Sequence, residues 1–377
     1  MKTLLRYVYL MLLAGGLCSS AYAQDGFFSG VVDYLEGDVS VHRNGEIMEW
    51  PEVDIGLDLE RYDLVETGMD GYAEVLVTRE TGNESLVRVM QDTAFYFTVE
   101  SVSTGDRVRF ELMGGSLGLK VQKLTGTEVT VATESAVLGV RGTEFTVTVA
   151  PEGSILVTCT EGRVVCRNAL GQEFLAEPGS AVEQLRNKQL RRLSVDPETI
   201  RGFADDWYRQ NLEGFIPNAP AVIKGYARQY LEYLDRFNPA YQELMRHNRI
   251  FQRWAQDSRA GRSTGEAVKD KIEVSPALFR MRRVVFLLER EFFRVGSLYR
   301  IYQRYDIAPE RLWSGYSTDE FFQEFQKQRR TVAWKLSQVR YILKLYEKMD
   351  RASTPFGSGR PESIDPMGDI FGGDSLF

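Results

Sequence analysis

Two histidines, His42 and His247, are the only groups in this 377-residue chain with an ordinary pKa near neutrality, and they limit its chemistry. A Cys–His or Ser–His nucleophile needs its base within hydrogen-bond reach. His42 lies in a strand-like stretch and His247 far downstream in a helical one, so nothing in the sequence brings either to a nucleophile. No P-loop, G-x-G-x-x-G or H-E-x-x-H occurs. The 53 Asp and Glu residues are numerous enough to supply a two-carboxylate hydrolase. With no other catalytic set in view, the expectation is that the chain is not an enzyme and needs no cofactor.

Cysteine chemistry is the second possibility. Cys159 and Cys166 flank a turn in Ile155–Arg167, where alternating residues around Glu161-Gly162 predict a β-hairpin. Loop length sets the register of such a hairpin. A four-residue loop places the cysteines opposite each other, and a two-residue loop places them diagonally. A disulfide needs Cα atoms within about 7 Å, so only some registers permit it. An oxidising compartment allows the bond; the other reading is two small buried apolar side chains. Two cysteines do not complete a tetrahedral zinc set, and no metal is expected.

The third place is Arg141-Gly142-Thr143-Glu144. Gly142 permits a positive φ or the close approach of another strand. Arg141 offers a fixed fork of donors suited to carboxylates or to carbonyls at a bend. Phe145, Val147 and Val149 should then share one face of the strand that follows. The motif reads first as structural, with ligand or partner binding by Arg141, Gly142, Thr143 and Glu144 as the alternative.

The elements that carry these residues fall into distinct stretches. Lys2 and Arg6 precede an apolar run, Tyr7–Leu17, and Ala21-Tyr22-Ala23 supplies the small residues that signal peptidase reads. The run is shorter than the roughly 20 residues a spanning helix needs. Residues 1–23 are therefore expected to be a signal peptide cleaved after Ala23. Cys18 follows the bulky Leu17, which fits a lipoprotein site poorly. The mature chain should be periplasmic or otherwise exported, with at most peripheral membrane association.

Residues 24–193 read as β throughout. Gly37–His42, Tyr72–Thr78, Ser85–Met90 and Glu128–Ala132 alternate apolar and polar residues between Gly- or Asp-bearing turns. Many short strands at this spacing imply a sandwich or a short β-solenoid. The order of features resembles the FecR domain. Gly37, Val39 and Val41 open it, followed by Asp63-Leu-Val-Glu-Thr-Gly68, Gly71–Val77 and Gly114–Val121. Ala136–Val149 is similar to the family's V-R-G-T-x-F-x-V core, and Thr160–Val165 and Glu177–Ser180 close the pattern. The Asp63 element lacks the family's preceding Gly.

Residues 196–350 read as long helices. Asp196-Pro197 and Ser275-Pro276 look like N-cap and first-turn proline pairs, and Ser317-Thr-Asp-Glu320 is a capping box. Met281, Val285, Leu288, Phe292, Val295, Tyr299 and Tyr302 step alternately by four and three. Ile223–Phe237 and Val332–Tyr346 contain the same spacing, the heptad pattern of helices that wrap one another. Pro239 should kink or restart a helix, and Gly261–Gly265 should be a loop. Residues 351–377, rich in Gly, Pro, Ser and Asp, are expected to be disordered. Their apolar end, Asp369–Phe377, is a candidate docking motif. The fold class is thus α+β in two domains: an all-β FecR-like domain, then an antiparallel helical bundle with coiled-coil-like packing.

Charge separates the same two regions. Residues 24–195 hold 15 Lys and Arg against 28 Asp and Glu, a net of −13; residues 196–350 hold 27 against 21, a net of +6. No dense basic stripe suggests a nucleic-acid partner.

FecR proteins, as the resemblance implies, run from a cytoplasmic sigma-factor-binding region through one membrane helix to a periplasmic domain that receives a signal from an outer-membrane transporter. Here apolar residues begin at Leu4 and leave almost no cytoplasmic residues, so the sigma-factor region and membrane helix are not carried over. What carries over is the receiving module. The expected function is a non-catalytic envelope interaction or scaffold protein whose partner is an envelope protein or cell-wall component. The alternative is a ligand-sensing or signal-transducing component whose β domain binds a small molecule or glycan.

Overall fold

The computed structural model describes residues 28–353 except 80–83, 103–104, 123–126, 141, 187, 261–266 and 314–315. The expected signal peptide with Cys18, Ala21 and Ala23, Arg141 of the candidate motif, the Gly261–Gly265 loop and the tail beyond residue 353 lie outside the described residues.

Strands are numbered in chain order and form two layers. One layer runs β4 (Asp58–Leu59), β1 (Phe28–Glu36), β6 (Tyr72–Arg79), β7 (Glu84–Val89), β9 (Gly105–Val121), β12 (Glu144–Val149), β13 (Ile155–Glu161), β16 (Ser180–Gln184), β17 (Arg191–Ser194). The other runs β3 (Glu46–Met48), β2 (Val39–Arg43), β5 (Asp63–Thr67), β8 (Ala94–Val102), β9, β10 (Thr127–Ala132), β11 (Ala136–Val140), β14 (Val164–Asn168), β15 (Glu173–Ala176). Among the described residues only β9 and β10 pair in parallel.

The long strand β9 belongs to both layers. Its first half, to Gly114, pairs with β8 and β10, and its second half, from Gly115, pairs with β7 and β12. The crossing depends on Gly115, which has φ +89°; a Cβ there would sit 2.3 Å from the Thr93 hydroxyl and 2.6 Å from the Asp92 carbonyl. Only glycine fits such a position. Between the layers lies an apolar core of Val41, Val75, Phe95, Phe97, Phe110, Leu117, Leu119 and their neighbours.

Helices α1 (Ile200–Phe215), α2 (Ala219–Met245), α3 (Asn248–Arg259), α4 (Ala267–Arg304) and α5 (Thr318–Ser353) follow. A small hairpin of β18 (Arg311–Trp313) and β19 (Tyr316–Ser317) precedes α5. The heptad positions are the core of this half: Met281, Val285, Leu288, Phe292, Val295, Leu336 and Val339 are all buried. Helix α4 runs antiparallel to α5, since Ser275 meets Tyr346 at one end and Tyr302 meets Asp319 at the other. It is antiparallel to α2 as well, with Arg280 on Glu243 and Arg294 on Tyr226. The helical core continues into the second layer, where Leu64, Ala94, Tyr96, Met113 and Ala132 face away from the inter-sheet core and pack against the bundle. On the first layer, Leu156 and Ala181 are covered by Ile200 and Trp207 of α1.

The capping box forms as expected, with the Glu320 carboxylate accepting from the Ser317 amide at 2.7 Å and the Glu320 amide donating to Ser317 Oγ at 3.3 Å. Four expectations are corrected. Asp196-Pro197 does not cap a helix: the Asp196 carboxylate accepts from the Glu198 amide in a turn, and α1 begins at Ile200 after Thr199. Ser275-Pro276 lies inside α4, where buried Val274, Ala277, Leu278 and Met281 hold both sides of the proline to one core. That packing outweighs the roughly 3 kcal/mol an interior proline costs. Pro239 likewise sits within α2, which continues to Met245.

The fourth correction concerns Ile155–Arg167. β13 and β14 do not pair with each other. β13 pairs with β12 and β16, and β14 pairs with β11 and β15 in the opposite layer. The segment is a corner between sheets, turned at Gly162 with φ +81°.

Candidate functional site

The Gly142-Thr143-Glu144 motif occupies the neighbouring corner, where the chain passes from β11 in one layer to β12 in the other. Gly142 has the expected positive φ, +62°. Its carbonyl and Thr143 close on Gly162, so tightly that a Cβ on Gly162 would lie 2.5 Å from the Gly142 oxygen. The Thr143 carbonyl accepts from the Val121 amide at 2.8 Å and ties the corner to β9. Phe145, Val147 and Val149 are buried together in the inter-sheet core. Glu144 is partly exposed and lies 3.9 Å from both Arg88 and Lys120. The Thr143 hydroxyl is buried with no hydrogen-bond partner among the described residues.

Cys159 and Cys166 are both buried free thiols, facing the same core from opposite layers. Cys159 stands across from Phe145, and Cys166 across from Leu138 and Phe174. Burial pushes their thiols up to about 11 and about 12. Thiols held so far from the thiolate form are poor nucleophiles and metal ligands at neutral pH.

The strongest electrostatics lie elsewhere, between the second layer and the bundle. Glu289 of α4 is fully buried, and Arg340 of α5 grips it with Nε–H donating at 2.9 Å and Nη2–H at 2.5 Å. The Tyr96 hydroxyl of β8 donates to the same carboxylate at 2.7 Å, and the Arg340 guanidinium lies over the Tyr96 ring, 4.3 Å from its centre. Glu111 of β9 stands 3.6 Å from Arg340. Burial and the adjacent Glu289 charge raise the Tyr96 phenol well above its ordinary range. Burial opposes the Arg340 charge, but Glu289, Tyr96 and Glu111 outweigh it and hold the guanidinium protonated.

A second cluster repeats the design. Arg294 of α4 contacts Glu134, donates to the Pro151 carbonyl at 3.2 Å and stacks on the Tyr226 ring from one side. Arg186 also lies over that ring, with its guanidinium 4.5 Å from the centre. At the far end of the interface Arg329 of α5 reaches Glu66 at 2.6 Å, beside His42 at 3.5 Å. Burial would raise the Glu66 carboxyl, but the His42 hydrogen bond and the Arg329 charge together take it down to about 2. Lys344 on Glu60 and Arg61 on Glu347 complete this edge.

His42 and His247 do not share a site, because His247 faces Glu273 on α4. Among the described residues no group of three His, Cys, Asp or Glu side chains is placed to hold a metal ion. In the sequence Glu289 and Arg340 look like solvated charges, because they sit one position beside the heptad seam, after Leu288 and Val339. One signal was present. Ala94-Phe-Tyr-Phe97 is apolar on both faces, the mark of a strand buried on two sides.

Residues 63–165 match the family model described as FecR protein. The chain carries a FecR domain. The match runs from β5 into β14, so the Gly37–Val41 and Glu177–Ser180 pieces of the expected pattern lie outside it. Around the FecR domain, the flanking strands extend both layers. Two crystal structures of a candidate anti-sigma factor from Parabacteroides distasonis ATCC 8503 are similar at 17% identity, each with a TM-score of 0.31. Each similarity covers 37% of this chain, which spans 63% and 64% of theirs, less than two thirds. A comparison with curated proteins finds no match. Among the described residues no helix is long and apolar enough to cross a membrane.

Proposed function

We propose that the chain is an exported, non-catalytic component of a cell-envelope regulatory system, in which the FecR domain docks a protein or cell-wall partner and the bundle holds a second surface at a fixed angle to it. One observation carries this reading: the buried charges Glu289, Arg340, Glu111 and Arg294, with the partly buried Glu134, join the bundle to the FecR domain. Strongly perturbed groups are candidate catalytic groups when they line an open cleft. Here they are turned on one another across a packed interface, which favours a scaffold over a reaction site. An interface of this kind sets the relative position of two recognition surfaces, as a receiver in a signalling chain requires.

The test is crosslinking in intact cells from photoreactive residues at exposed sites on each half. The reading expects the mature chain in the envelope fraction, with one and the same partner caught from both halves. Recovery in the cytoplasm, or partners caught from neither half, would overturn it.

A further inference from the structure

The first half of α4 presents an apolar stripe to solvent. Val268, Ile272, Pro276 and Phe279 recur at helical spacing, and the three aliphatic and aromatic members are 57%, 72% and 46% exposed. Side chains at i, i+4, i+8 and i+11 share one face. Exposed Lys269 and Arg283 flank them on the same helix. A contiguous apolar face on a surface helix, rimmed by charge, marks a binding surface.

What covers it is indicated by the course of the chain. Helix α5 runs antiparallel to α4, with the Tyr346 hydroxyl 3.1 Å from Ser275 Oγ and Lys271 over the Tyr346 ring. From Tyr346 the helix continues two turns to Ser353, about 10 Å, which brings its end level with Val268. The segment that follows therefore starts beside the stripe. Residues 361–377 contain Glu362, Asp365, Asp369 and Asp374 and no Lys or Arg, interleaved with apolar residues that include Ile370, Phe371, Leu376 and Phe377. Sixteen residues lie between Ser353 and Ile370. At up to about 3.3 Å each they reach far beyond the roughly 16 Å from Val268 to Phe279. We propose that residues 361–377 dock in cis on the Val268–Ile272–Phe279 face, their apolar side chains on the stripe and their carboxylates toward Lys269 and Arg283. Tethering beside the site gives the segment an effective concentration on the order of millimolar, so weak contacts suffice.

The experiment places a benzophenone side chain at position 279 of the full chain and maps the crosslinks by mass spectrometry. The expected product is an intramolecular link to residues 361–377. It should fall several-fold in a variant carrying Asp365→Lys, Asp369→Lys and Asp374→Lys. A second measurement does not depend on the probe: deleting residues 361–377 should raise binding of an apolar dye several-fold, and a synthetic peptide of those residues should reverse the rise. The same deletion combined with Ile272→Asp, at a site exposed enough to leave the fold intact, should show no rise. Links between chains at position 279 would assign the stripe to a second copy and overturn the proposal. Equal binding of full and truncated chains to phosphatidylglycerol vesicles would assign it to an anionic membrane and overturn the proposal as well. No link to residues 361–377, with dye binding unchanged by the deletion, would also overturn it.

Discussion

Glu289 and Arg340 lie 51 residues apart on antiparallel helices, both excluded from water, and face each other under the Tyr96 ring of the FecR domain. Removing one partner leaves an uncompensated buried charge, whereas replacing both with apolar groups need not. Arg340→Ala should therefore lower unfolding free energy by about 3–5 kcal/mol. The double variant Glu289→Met with Arg340→Met should recover most of that loss. Urea unfolding of the single and double variants measures both, and a double variant no more stable than Arg340→Ala would refute the account.

Glu66 supplies an acid-sensitive clamp. Its folded pKa, about 2, lies below the ordinary carboxylate value of 4.5, so the contribution is present in full above about 4.5 and lost as pH falls toward 2. The shift corresponds to at most about 3 kcal/mol. Glu66→Gln should be less stable than the parent chain at pH 6, with a gap that narrows steadily below pH 4.5. Thermal unfolding from pH 6 to pH 2.5 would check it; a gap that stays constant would remove Glu66 as the titrating group.

At the Gly142 corner, backbone and side chain make separable predictions. Gly142→Val forces a β-branched residue to φ near +60° and should cost about 2 kcal/mol or more. Arg141→Ala should cost about 1 kcal/mol if the guanidinium only serves nearby carbonyls. The melting temperatures of both variants, measured beside partner capture, distinguish the roles. An Arg141→Ala chain that melts normally yet captures nothing would make the motif a binding site.

The two thiols should be silent in the folded chain. At pH 8 neither Cys159 nor Cys166 should react appreciably with an alkylating reagent, and both should react once guanidinium unfolds the protein. Mass analysis counts the labels. Two labels after unfolding fit free thiols, whereas none would mean that the pair had oxidised to a disulfide. The same spectrum should show a mature chain starting at Gln24, as the Ala21-Tyr22-Ala23 site requires.

Period-two and heptad patterns were legible along the chain because each side chain's direction follows from its own backbone. The strands at Tyr72–Thr78 and Glu128–Ala132 and the core-facing row from Met281 to Tyr302 were therefore readable residue by residue. The V-R-G-T-x-F-x-V core was readable too, because a corner glycine must be a glycine whatever surrounds it. The partner of each strand was not. Glu161-Gly162 looks the same whether the chain doubles back in one sheet or steps to the other, and only the stacking of Gly142 against Gly162 selects the step. The Glu289–Arg340 pair was hidden for a related reason: a charge beside a heptad seam is usually solvated, and only the sheet laid over it makes it internal.

Among the described strands, β9 stands fifth of nine in each layer. A tear that opens one sheet at its centre must pull on the residues that form the centre of the other, across the single peptide at Gly114-Gly115. The two layers cannot swing apart like the covers of a book, because the spine is also a page in each. Force arriving at any rim of this domain is delivered to its middle, so the β half should yield all at once or not at all.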